Sequence, residues 1–394
     1  MQLRPQFQSI TRRPSFIFAV LSVLAIVSFL GVARLVKRYR EQEKALGRRM
    51  YARGLTEQRG SRPEPAIEDF RAALLYDRDN SQYQLSLARA LRDSGRTDEA
   101  ETYLLRLWEG NPEDGAVNLA LGRLAARRGS VEDALHYYHN AIYGIWPDNA
   151  DSARSSAEFE LIDFLIKAGA NPQAQAELIT VAATHPEDAS TRIRIAQLFM
   201  HIHDYEHALV GFQAVWNRDH GNAVAAAGAG EAAFALGRYS NAESYLRAAA
   251  ILNPSDTRTR EVLQMTTMLL ESDPFARGIP DAERLRRVTT AFTQAGSRLE
   301  SCAKQEGVDL NLDGSPGQQS SGLAALQARW LEMKPKMRHL TPSQSKQDLS
   351  GAVMDLVSEI EQQTTKLCGE PSGMDEALFL ISQERASAEI GAEK

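Results

Sequence analysis

One interval constrains this chain more than any other feature. Six alanines, Ala66, Ala100, Ala134, Ala174, Ala208 and Ala242, stand 34, 34, 40, 34 and 34 residues apart. Each opens the same pattern: an aromatic residue or leucine four on, an apolar residue three further, and often a proline beyond. The sets read Ala66-Phe70-Ala73, Ala100-Leu104-Leu107-Pro112, Ala134-Tyr138-Ala141-Pro147, Ala174-Leu178-Val181-Pro186, Ala208-Phe212-Val215 and Ala242-Leu246-Ala249-Pro254. Steps of three and four mark one face of a helix. A period of this length, repeated, predicts a stacked array of small units rather than one bundle. The interval of 40 is a single six-residue insertion in the stretch Trp146 to Arg154.

Upstream in each unit lies a second helix-spaced set, such as Leu87-Ala88-Leu91, Leu121-Gly122-Ala125 and Ala229-Gly230-Ala233. The joints between sets are polar and hold Gly or Asn: Ser94-Gly95-Arg96, Arg128-Gly129-Ser130, Gly169-Ala170-Asn171 and Leu236-Gly237-Arg238. Each unit therefore reads as a helical hairpin. Small residues at mid-helix let the two helices approach, and the larger residue four on fills the gap to a neighbour. Proline after the second helix cannot extend it.

This pattern resembles the tetratricopeptide repeat family over roughly Gly47 to Asp256. The units expected are 47–80, 81–114, 115–148, 155–188, 189–222 and 223–256, with 257–272 as the capping helix that such arrays require. Arg78 and His220 stand where the family usually has proline, and the first unit has an atypical turn, Arg59 to Pro65. The resemblance implies an all-α superhelix whose groove, lined by the first helix of each unit, receives a peptide. Carried onto this chain, the lining is Tyr51, Leu55, Gln58 and Arg59, then Leu85, Arg89 and Arg92, then Leu119, Arg123 and Arg127. Later units offer Phe159, Asp163 and Lys167; Ile193, Gln197 and His201; and Ala227, Glu231 and Phe234. The N-terminal half of this surface is basic and suits an acidic segment or terminal carboxylate, or else is a solvated helix face. The lysine–asparagine clamp by which some family members grip a C-terminal carboxylate is absent from the matching positions.

Before the repeats, Pro14 to Ala33 contains no charge. Twenty such residues at about 1.5 Å each span the hydrocarbon of a bilayer, roughly 30 Å. Arg12 and Arg13 precede the run; Arg34, Lys37, Arg38 and Arg40 follow it. The run is long for a signal core and no small-residue cleavage site follows it. The expectation is a short tail, 1–14, a transmembrane helix, 15–36, and a juxtamembrane helix, 37–46. Positive charge flanks the run on both sides, which leaves the orientation open between exported repeats, the preferred reading, and cytoplasmic ones.

After a break rich in Pro and Gly, Ser272 to Pro280, the period does not continue, and 282–394 is expected to be a separate helical bundle. Cys302 and Cys368 are the two cysteines of the chain. If three bundle helices run up, down and up, both fall at one end, compatible with a disulfide or with two buried thiols. A disulfide implies an oxidising compartment, hence exported repeats.

A formal net charge of −6 argues against a general nucleic-acid binder, which usually carries a basic excess. The run Asp309 to Gly314 has the opening of a calcium loop, but Ser320 stands where a bidentate glutamate should close it. His203 and His207 lie one helical turn apart without an HExxH order. No phosphate loop, GxGxxG or GxSxG occurs. The expectation is a non-catalytic, membrane-anchored scaffold with a protein partner, no cofactor and no evident small-molecule substrate. A chaperone-like holder of exported chains and a regulatory subunit of a membrane complex are the alternatives.

Overall fold

The computed structural model describes residues 14–147, 149–184, 188–308, 322–338 and 348–392. The 309–321 segment, with its calcium-like opening, and Pro186 lie outside them, as do the arginines before the apolar run. Seventeen helices and no strand occur among the described residues. They are α1 (Pro14–Arg59), α2 (Pro63–Tyr76), α3 (Ser81–Asp93), α4 (Thr97–Gly110), α5 (Gly115–Arg128), α6 (Val131–Tyr143), α7 (Ala150–Lys167) and α8 (Asn171–Thr184). There follow α9 (Ala189–His201), α10 (Tyr205–Trp216), α11 (Ala223–Ala235), α12 (Tyr239–Leu252) and α13 (Thr257–Ser272). The last four are α14 (Asp281–Gln305), α15 (Gly322–Arg338), α16 (Asp348–Cys368) and α17 (Met374–Ala392). The chain divides into two compact units, residues 1–177 and 178–394.

In the first unit, α1 runs without a break from the apolar segment into the first hairpin. Its apolar stretch is long enough to cross a membrane, with a mean hydropathy of 2.4, and from Phe18 onward its apolar side chains are exposed. The far end of the same helix packs on α2, where Gly54 makes room for the Phe70 ring: a Cβ there would lie 2.6 Å from it. The pairs α3–α4 and α5–α6 repeat the arrangement, with the Tyr138 ring over Gly122, where a Cβ would lie 3.0 Å from it. Helices α3 and α5 start on side-chain caps. Asn80 accepts from Tyr83 N, and Asp114 accepts from Ala116 N and Val117 N. Such caps satisfy backbone donors that a helix start leaves unpaired. Ala66, Ala100, Ala134 and Ala174 are all fully buried, so the periodic alanines lie inside the packed hairpins. The insertion folds back onto the start of α5. Trp146 donates from Nε1 to the Ala141 carbonyl at 2.9 Å and its ring covers Gly115, where a Cβ would come within 2.4 Å.

The second unit holds the hairpins α9–α10 and α11–α12, then α13 and the C-terminal helices. Ala208 and Ala242 are again fully buried. Leu269 of α13 belongs to the same apolar core as Val288, Phe292, Trp330, Val353, Ile360 and Leu378 of the last four helices. Phe292 and Trp330 stack with centroids 5.1 Å apart. Cys302 and Cys368 are joined by a disulfide, with their Cα atoms 5.7 Å apart.

Candidate functional site

The arginines foreseen on the repeat helices of the first unit are not equivalent. Arg123 on α5 donates to Glu160 on α7 through two hydrogen bonds, Nε to Oε2 at 2.7 Å and Nη2 to Oε1 at 2.6 Å. Burial pulls the Glu160 carboxyl up, but hydrogen bonds and charge from Arg123, with help from Ser156, outweigh it and hold it below its usual range. Arg92 donates to Asp93 at 2.8 Å. Arg127 donates to the Arg92 carbonyl at 2.7 Å and lies 4.0 Å from Asp93.

Arg89 differs from these three. It is half-buried on α3, its Nε is shielded from solvent without a hydrogen-bond acceptor, and it has no carboxylate partner among the described residues. Burial first, then the neighbouring Arg123 and Arg92 guanidinium groups, hold it below the ordinary arginine range. An uncompensated, partly buried cation is unfavourable for folding alone. Tyr51 stands beside it, stacked on Tyr83 with centroids 4.6 Å apart and in hydrogen-bond contact with Ser86 Oγ at 3.1 Å. Arginine presents several donors in a rigid planar fork, a geometry that matches a carboxylate or comparable anion.

Other foreseen positions fall elsewhere. Leu119 and Phe159 are 6% exposed and offer little surface to a ligand. Leu55 and Leu85 pack against hairpin cores, Gln58 and Asp163 are half-buried, and Arg59 and Lys167 are exposed. In the second unit Ile193 is half-buried and Gln197 and His201 are exposed, while Ala227, Glu231 and Phe234 are half-buried. Glu231 and Phe234 line a cavity of about 380 Å³ with Met200, Arg258, Glu261 and Met265. Arg258 lies 3.5 Å from Glu231. His203 and His207 each turn to a local partner, the Tyr205 hydroxyl and the Asp204 carboxylate, both at 2.7 Å. No group of three metal-ligating side chains converges among the described residues.

The fold and the site define a class: a helical-hairpin repeat protein with a cationic face on the first helices of its early units. A tetratricopeptide-repeat model matches residues 51–111 and again 85–150, and the chain carries tetratricopeptide repeats. Subunit 3 of the anaphase-promoting complex of Schizosaccharomyces pombe is 24% identical over 156 residues, 40% of this chain and 23% of that protein. The match thus spans less than a quarter of that relative's length. Among solved structures, Pseudomonas aeruginosa pilF is 17% identical with a TM-score of 0.37, covering 56% of this chain and 97% of that one. YrrB, a repeat protein with an unusual peptide-binding site, is 17% identical with a TM-score of 0.36, covering 50% and 97%.

Proposed function

We propose that this chain is a single-pass membrane scaffold whose first-unit repeats capture an acidic segment of a protein partner in the cell envelope. The observation that carries the reading is Arg89, a cation without a carboxylate beside Tyr51 and two further arginines. A fold that needed only a solvated basic face would pair that guanidinium or turn it outward. The partner's acid completes the set. On this reading the chain holds and positions, and any chemistry lies on the molecule it holds. Its place is the inner membrane, with the N-terminal apolar helix as anchor.

Exported repeats fit the Cys302–Cys368 disulfide, since such bonds persist in oxidising compartments. Alkylation of intact cells, with and without reductant, tests this: both thiols should be unreactive until reduced, and thiols reactive from the outset would place the repeats in the cytoplasm. The binding reading is tested by recovering partners from detergent-extracted native membranes, with wild-type chain and with Arg89→Glu plus Arg92→Glu. A stoichiometric partner lost in the variant is expected; an unchanged partner set would overturn the proposal.

A further inference from the structure

The geometry of α1 points to pairing with a second copy of this chain. The apolar run ends near Ala33, yet an apolar seam continues beyond it. Val32, Leu35, Tyr39, Gln42 and Leu46 follow at intervals of 3, 4, 3 and 4, the spacing of a two-stranded coiled-coil seam. Val32, Leu35 and Tyr39 are 60%, 70% and 62% exposed, and Leu46 is 39% exposed. At about 1.5 Å of rise per residue, Leu46 stands roughly 20 Å past Ala33. The polar layer of a bilayer adds only about 5 to 8 Å on each side. Lipid therefore covers the start of the seam and leaves its end bare.

The occupant is identified by charge and by direction. Two copies anchored by the same helix enter the bilayer the same way, so their α1 helices run parallel. In a parallel pair, the residue just before one seam position faces the partner residue five further on. Here Arg38, before Tyr39, meets Glu43, after Gln42, and symmetry forms the contact twice. Neither Arg38 nor Glu43 has an ion-pair partner in its own chain among the described residues. The two Gln42 amides face each other across the axis, where one donates and the other accepts, a polar contact that fixes register at some cost in stability. Inside the bilayer the seam continues through Ser28 and Ala25, small enough for close helix approach.

This proposal rests on the anchor reading, and the experiment separates the two. Full-length chain is reconstituted into vesicles, with flotation reporting the anchor and cysteine cross-linking reporting the pair. The native cysteines are already bonded to each other, so an introduced thiol is the reactive one. Tyr39→Cys and Leu46→Cys should give cross-linked dimer several-fold above Lys37→Cys and Lys44→Cys, which lie on the far side of the helix. In the Leu46→Cys background, Arg38→Glu or Glu43→Arg alone should reduce the dimer, and the two together should restore it. Flotation without that positional preference would overturn the pairing alone. A chain that does not float would overturn the anchor and the pairing with it.

Discussion

Arg123 and Glu160 are joined by two hydrogen bonds that cross from α5 to α7, and this pair decides what is left for a ligand. It ties successive repeats together and withdraws one of the five foreseen arginines from the candidate face. Glu160 is in effect an internal stand-in for an acidic ligand. Glu160→Gln is therefore expected to lower stability by about 1 kcal/mol, the scale of a partly exposed pair. It should also strengthen binding of an acidic peptide, because Arg123 is released. Urea denaturation and a peptide titration on the same variant check both directions.

Arg89 should behave in the opposite sense to a structural residue. Its charge is partly buried, lacks a carboxylate and lies among like charges. Arg89→Met keeps an unbranched apolar stem and removes a cation that has no ion-pair partner, so stability should be unchanged or rise by roughly 1 kcal/mol. Thermal denaturation measures it. A marked loss of stability would make Arg89 a packing residue.

The C-terminal helices are expected to lose stability as pH rises. Arg298 donates to Thr364 Oγ1 at 2.9 Å and to the Gly369 carbonyl at 3.1 Å. Its Nε also lies 3.2 Å from Glu361 Oε2, yet neither Glu361 oxygen accepts a hydrogen bond. Burial, reinforced by Asp375 and opposed by Arg298, pushes the fully buried Glu361 carboxyl up to about 8. The folded state then binds a proton more tightly than the unfolded one. This contribution is complete below the ordinary glutamate range and is lost as pH rises towards about 8, by at most about 1.4 kcal/mol per pH unit. Denaturation midpoints taken from acid to mildly alkaline pH should fall for wild type, and Glu361→Gln should flatten the curve.

The closest helix contacts should be the least forgiving. A methyl group at Gly54 meets the Phe70 ring at 2.6 Å, whereas one at Gly110 meets nothing within 4 Å. Gly54→Ala should cost about 1 to 3 kcal/mol through overpacking, and Gly110→Ala should be neutral or slightly stabilising. Paired denaturation curves distinguish them.

Much of the fold was legible because stacking writes itself into the chain at a fixed interval. Six alanines 34 or 40 residues apart are the six buried points where paired helices touch. The turns are equally regular: Gly95, Gly129, Gly169 and Gly237 all adopt left-handed backbone, and His203 takes that conformation in the fifth unit. Its place in a turn explains why His203 and His207 read so poorly as a metal pair. The site was only half legible. Helix periodicity puts Arg89, Arg92, Arg123 and Arg127 on first helices, but it does not reveal that Glu160, 37 residues on, closes over Arg123. Nor does it show Leu119 and Phe159 turned into the core. The Arg298–Glu361 cluster gave no signal at all, because its members come from separate helices and share no spacing.

The most direct test is a titration of full-length chain in detergent with a fluorescent acidic peptide, against a neutral peptide of the same length. Wild type should bind the acidic peptide, more weakly as salt rises, and Arg89→Met should lose that binding while remaining folded. Equal binding of both peptides, or full retention of binding in Arg89→Met, would contradict the account.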